Sequence, residues 1–138
     1  MKHSYETIEL AFEFVSSASQ FENEAILSLD TGETYFVSGM FDSDELPDDI
    51  ETSDRYVRLP HKNDLDLGKA LVRRFVARHM PDAFDEVESF FRRRGAYARF
   101  KDLLDHRGML DEWHAYENAQ TKASLRQWCA DNNIELAD

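Results

Sequence analysis

Between Tyr5 and Ser17 the apolar residues keep a helical period. Ile8, Phe12 and Val15 stand at i, i+4 and i+7, a spacing that places side chains on one helix face. Ser4 and Thr7 offer hydroxyls to its entry turn. The pattern then becomes β-type. Ala25-Ile26-Leu27-Ser28-Leu29 and Thr34-Tyr35-Phe36-Val37-Ser38 flank Asp30-Thr31-Gly32-Glu33, where Gly32 suits the positive φ of a hairpin. Residues 41–54 are dense in acids and contain Pro47, which predicts an exposed loop. Arg55-Tyr56-Val57-Arg58-Leu59 alternates with period two and stops at Pro60, predicting a third strand.

The rest of the chain reads as helices. One is capped by Asp64 or Asp66 and runs to about His79, with Leu67, Leu71, Val72, Phe75 and Val76 as its stripe. A second starts at Pro81-Asp82 and ends at Gly95, with Phe84, Val87, Phe90 and Phe91 inward. A third runs from about Ala96 to Gly108 over Tyr97, Phe100, Leu103 and Leu104. The last begins near Leu110 and reaches about Asp131, with Trp113, Tyr116, Leu125 and Trp128 as its large groups. The expected fold is α+β: a small antiparallel sheet of about three strands packed with four to five helices. A single globular domain spanning 1–138 is expected, with a helix and β-meander in 1–60 and a helical part in 61–138.

Composition narrows the class. With 138 residues, 42% of them hydrophobic and 12% aromatic, the chain has material for a core that needs neither metal nor disulfide. No apolar run approaches the roughly 20 residues of a membrane span. Met1 to Glu6 lacks the apolar stretch of a signal peptide. Cys129 is the one cysteine, so no intramolecular disulfide forms and a reducing cytoplasm is the expected location.

Charge is unevenly distributed within a formal total of -12. Residues 1–54 hold one base, Lys2, against 14 acids; residues 55–107 hold 13 bases against eight acids. The overall sign disfavours general nucleic-acid binding, because phosphates are repelled from most directions. A local basic face remains suited to an anion or an acidic partner.

Specific chemical motifs are few. Asp30-Thr31-Gly32 also occurs in aspartic proteases, but that chemistry needs a paired second carboxylate and there is no second copy; a hairpin turn explains it. An EF-hand starting at Asp42 would need Gly and Glu where Pro47 and Ser53 stand. Asp111 and His114 share a helix face at i, i+3, and a metal site needs two further ligands. Cys129 falls one turn after Leu125 and reads as a packed small hydrophobe. No metal and no cofactor is expected.

The basic segment is the strongest candidate. Arg92-Arg93-Arg94 precedes Gly95, and Arg99 and Lys101 follow. Cations in a last helical turn offset the helix dipole, each contributing roughly 0.3–1 kcal/mol. Three consecutive arginines exceed that need, and guanidinium groups match carboxylates and phosphates. Arg55, Arg58 and His61 form a second candidate group, gathered with Arg99 and Lys101 around a pocket for a small anion. Asp42, Asp44, Glu45, Asp48 and Asp49 form a candidate acidic loop for a basic partner.

Arg94-Gly95-Ala96-Tyr97-Ala98-Arg99-Phe100-Lys101-Asp102 resembles a stretch of uncharacterised protein family 158, a group of small bacterial proteins. So do Trp113 with Tyr116, Trp128-Cys129-Ala130-Asp131-Asn132-Asn133-Ile134, and the strand Arg55-Tyr56-Val57-Arg58-Leu59-Pro60. The resemblance covers about residues 55–135 and extends to the N-terminal third only by its layout. His114 stands where a second aromatic is usual and Glu117 where an arginine is common. The resemblance implies a bacterial or phage cytoplasmic α+β protein, carries no established activity, and singles out Arg94, Arg99, Phe100, Lys101 and Trp113. Phe100 and Trp113 fall on apolar stripes and read as core.

The expectation from these observations is an interaction or regulatory module whose partner is another protein, ahead of an enzyme. The alternative is an enzyme or binder for a small anionic ligand near His61 and Arg99. Third is weak nucleic-acid binding by the basic middle. No membrane contact is expected, and the chain is expected to be a monomer or a homodimer.

Overall fold

Ile8, Ala11, Phe12 and Val15 are all buried, so the predicted stripe is the inward face of α1, Tyr5–Ser16. In the computed structural model, which describes residues 1–38 and 46–137, the chain divides into two compact units. The first comprises Met1–Leu65 and Ser124–Asp138, the second Asp66–Ala123. The architecture is α+β, with five α-helices and a three-stranded antiparallel sheet among the described residues.

In the first unit, β2 (Asn23–Ser28) lies between β3 (Thr34–Ser38) and β4 (Tyr56–Arg58). The registers Ala25↔Phe36 and Leu27↔Val57 fix both antiparallel pairs. As the central strand, β2 buries Ala25, Ile26, Leu27 and Ser28. Asp30-Thr31-Gly32 is a hairpin turn: the Gly32 amide donates to the Ser28 carbonyl at 2.9 Å, with Gly32 at φ 77. Leu125, Cys129 and Ile134 join this unit's core. Two strands too short to leave a sequence pattern also pair here. β1 (Lys2–His3) lies parallel to β5 (Glu135–Leu136).

The second unit differs from the sequence expectation at two helix ends. Neither Asp64 nor Asp66 caps α2 (Lys69–His79); its N-cap is Gly68. Asp64 instead belongs to a 3-10 turn, Lys62–Leu65, in the first unit. The helix expected to reach Gly95 is a 3-10 turn, Pro81–Ala83, followed by α3, Phe84–Phe90. Past Phe90 the amides of Arg92 and Arg93 bond three residues back, to Ser89 and Phe90, a tightening that ends an α-helix. Gly95, at φ 78, is the N-cap of α4 (Ala96–His106), and Gly108, at φ 66, follows its end. The first part of α5 (Leu110–Asp131) completes the unit.

The core of this unit is aromatic. Trp113 meets Phe75 and Phe100 edge to face, at centroid distances of 5.2 and 5.0 Å, the geometry favoured by ring quadrupoles. Phe75, Phe100, Leu71, Val72 and Leu104 are fully buried, each worth about 1.5–3 kcal/mol of transfer free energy for the larger side chains. Tyr97, expected on the apolar face, is 40% exposed. Among the described residues no helix is long and apolar enough to cross a membrane.

Candidate functional site

The first group of candidate residues sits at β4. Arg55 forms an ion pair with Asp30, its Nε at 2.9 Å, and holds that carboxyl below its usual pKa. Arg58 donates from Nη2 to Glu51 at 2.9 Å and lies 3.6 Å from Glu24. Asp49 accepts the Tyr56 hydroxyl at 3.0 Å, and Asp48 is exposed. Asp42, Asp44 and Glu45 of the candidate acidic loop lie outside the described residues.

His61 is buried and both ring nitrogens are engaged. Nδ1 accepts the Asn63 amide at 3.0 Å, which leaves the proton on Nε2 to donate to the Ala18 carbonyl at 2.9 Å. The 3-10 turn is tied to the end of α1 by further bonds. Gln20 donates to Asp64 Oδ1 at 2.6 Å and the Lys62 amide donates to Ser16 at 3.1 Å. Asp64 Oδ2 accepts the His61 amide at 3.0 Å. The imidazole is thus a clasp between two backbone segments, with no free nitrogen for proton transfer.

The clasp bounds a cleft of about 450 Å³, within the range of small-molecule sites. Its apolar wall includes Val15, Ala25, Leu59, Pro60 and Leu65, its aromatic edge Phe21 and Trp128. Glu24, Arg58 and Asp64 supply the charges. Phe21 is 89% exposed and holds φ 74, a left-handed conformation uncommon for a bulky residue.

Arg99 lines a different hollow, of about 330 Å³, in the second unit, with Glu86, Phe90, Asp102, Leu103 and His106. Beside it in sequence is the α3–α4 turn. Arg92, Arg93, Arg94, Arg99 and Lys101 are all exposed. None of them forms an ion pair or side-chain hydrogen bond among the described residues. Elsewhere in the same unit, Arg73 grips Glu88 at 2.6 and 3.1 Å, and Arg107 grips Asp82 at 2.9 and 3.1 Å. Tyr97 meets Phe91 edge to face at 5.5 Å, and Lys69 lies 5.3 Å from the centre of the Phe91 ring. Burial and then the charge of Glu117 push the Tyr97 hydroxyl up in pKa. Glu117, one of the two departures from the resemblance, therefore acts on a residue of the motif.

The remaining chemical groups fall inside the fold. Phe100 and Trp113 are core. Cys129 is buried, and burial raises its thiol pKa, which keeps it protonated and unreactive. Among the described residues no three His, Cys, Asp or Glu side chains stand close enough to hold a metal ion. The cleft at His61 was hard to find in the sequence, because its lining comes from residues 15–25, 58–65 and 128. Arg58 and His61 were singled out for a pocket, and Phe21, a lone aromatic in a polar stretch, was a further local signal.

The fold and its surfaces define a small α+β protein whose described residues include ion-paired arginines at β4, a basic turn without ion pairs and an apolar-walled cleft. The chain belongs to the Uncharacterised protein family (UPF0158), whose family model matches residues 11–138. The match takes in most of the N-terminal third as well as the segments carrying the sequence resemblance. No curated protein and no solved structure matches the chain.

Proposed function

We propose that the protein is an interaction module that binds an acidic protein segment at the α3–α4 turn. The observation behind this reading is that Arg92, Arg93, Arg94, Arg99 and Lys101 form no ion pair or side-chain hydrogen bond among the described residues, Arg92 reaching Glu88 only through its longer-range field, in a chain with 28 acids and 16 Lys and Arg. Like charges left side by side repel, and an acidic partner relieves that repulsion while forming charge-assisted bonds. The exposed Tyr97 adds the residue type which, with arginine, is enriched among interface hot spots. Phe90 and Leu103 in the adjoining hollow offer a seat for one apolar side chain. Glu86 and Asp102 line the same hollow and, with the charge of -12, favour a mixed protein surface over a polyphosphate.

The test compares a glutamate-rich peptide carrying one phenylalanine with a single-stranded oligonucleotide of equal charge. Both are titrated by fluorescence anisotropy against the natural chain and against R92E/R93E/R94E. Peptide binding that the triple variant abolishes supports the proposal. Equal or tighter oligonucleotide binding, with a steep salt dependence, replaces it by the nucleic-acid reading. Peptide binding unchanged in the triple variant removes the turn from consideration.

A further inference from the structure

We propose that the cleft beside His61 is a binding site for a small amphipathic amine, a protonated nitrogen on an aromatic or hydrocarbon body. This inference is independent of the arginine turn, since every residue it uses belongs to the first unit.

The charges of the cleft select the sign of the ligand. Arg58 is the one cation in its described lining, and Glu51 and Glu24 already face that guanidinium at 2.9 and 3.6 Å. An anion entering the cleft would have to displace them. The two carboxylates of the lining are in the opposite position. Glu24 has only the long contact to Arg58, and Asp64 accepts two hydrogen bonds, from the His61 amide and Gln20. A carboxylate has about four acceptor sites, so both retain capacity for an ammonium group. Gln20 and the His61 backbone hold Asp64 in place before any ligand arrives, which lowers the entropic cost of binding. The surrounding sequence reinforces this sign, since residues 1–54 hold 14 acids and one base.

The walls select the body. Val15, Ala25, Leu59 and Leu65 give a hydrocarbon-lined interior. Phe21 and Trp128 add aromatic faces, which attract cations through the ring quadrupole as well as covering apolar surface. Phe21 points to an occupant on its own account. The chain holds a bulky residue at φ 74 and leaves it 89% exposed at the edge of a cleft. Backbone strain of this kind persists where the surrounding structure imposes it and clusters at ligand clamps. A ligand body in the cleft would cover the ring.

The test uses the full chain labelled with nitrogen-15 and three probes with one body: 2-phenylethylamine, 2-phenylethanol and 3-phenylpropionate. The amine is expected to produce saturable shifts at the Phe21, Glu24 and Asp64 amides and at the Trp128 indole, with the alcohol weaker and the acid weakest. Glu24→Gln is expected to lower amine affinity by roughly three- to tenfold, the range of a partly exposed charge contact, and to leave the alcohol unchanged. Glu51→Gln, which removes the other partner of Arg58 outside the cleft lining, is expected to leave the amine affinity intact. Phe21→Gly is expected to weaken amine and alcohol together while Tm holds or rises, because glycine adopts φ 74 freely. Binding of the acid as tightly as the amine, shifts confined to other surfaces, or no saturable shift with any probe would overturn the proposal. So would a Glu24→Gln chain that binds the amine undiminished.

Discussion

The β4 strand and the α3–α4 turn carry similar cations and treat them in opposite ways. At β4, Arg55 is held by Asp30, and Arg58 by Glu51 and Glu24. At the turn, the Arg92, Arg93 and Arg94 side chains form no ion pair or hydrogen bond among the described residues, and Arg92 acts on Glu88 only through its field. A count of charges assigns both regions the same promise as anion sites. Pairing separates them: a guanidinium already facing two carboxylates has little left for a ligand, whereas an unpaired cluster keeps its full hydrogen-bonding capacity. The same contrast explains why the cleft at β4 favours a cation although an arginine lines it.

The largest effect that sharpens this comparison lies directly under the basic face. Phe100 is fully buried between two exposed cations, Arg99 and Lys101. Phe100→Ala is expected to cost about 3–5 kcal/mol, since it leaves a cavity against Trp113. Arg99→Ala and Lys101→Ala should each stay within about 0.5 kcal/mol, as exposed residues without partners do. Urea denaturation measures all three. A large loss from either cation would mean that the face serves the fold.

Next in size is the clasp. His61→Ala strips the Ala18 carbonyl and the Asn63 amide of their partner, which is expected to cost roughly 1–3 kcal/mol. Hydrogen exchange should show faster opening of residues 61–65 in this variant. Unchanged protection there would mean that the ring is dispensable to the turn and would return His61 to the list of chemical candidates.

These two sites were unequally legible in the sequence. The stripe of α1 and the alternation of β4 were readable because the period of burial is local. The α2 start was misplaced because Asp64 and Asp66 resemble caps, yet Asp64 is taken by the His61 amide and Asp66 adopts φ 55. The arginine run was read as the last turn of a helix reaching Gly95. The Arg92 and Arg93 amides instead bond three residues back, past the end of α3 at Phe90. The β1–β5 pair joins residues at opposite ends of the chain, and no local pattern encodes such pairing. Nor does composition reveal which of two arginines has a carboxylate within reach.

Acid titration tests the pairing itself. Asp30 and Asp82 are lowered from 3.8 and Glu88 from 4.5, chiefly by hydrogen bonds from Arg55, Arg107 and Arg73. A lowered carboxyl contributes stability that is present above the unfolded pKa and lost as pH falls through the folded one. The natural chain should therefore lose stability as pH drops below 4.5. Arg55→Ala or Arg73→Ala should flatten that fall, and R92A/R93A/R94A should do so far less, through the field of Arg92 on Glu88. His3 has the same sign in a higher window. Desolvation, with the N-terminal charge, lowers its pKa from 6.5, so stability declines as pH falls below 6.5 and His3→Gln removes that phase. Thermal melts from pH 7 to 3 resolve the two stages. An acid limb flattened by the triple variant as much as by Arg73→Ala would show that the turn arginines are paired in solution.

The smallest effect on stability is also the most informative. R92A/R93A/R94A removes three exposed charges that form no ion pair among the described residues, so folding free energy should change by no more than about 0.5 kcal/mol. At low ionic strength the direction should be upward, because neighbouring like charges repel. The gain should fade toward 0.1 M salt, where the Debye length is about 10 Å. If the arginines instead serve as cations for the α3 dipole, the variant loses stability at low salt and the loss fades in the same way. The sign of one salt-dependent melt thus separates a device of the fold from a surface left free for a partner.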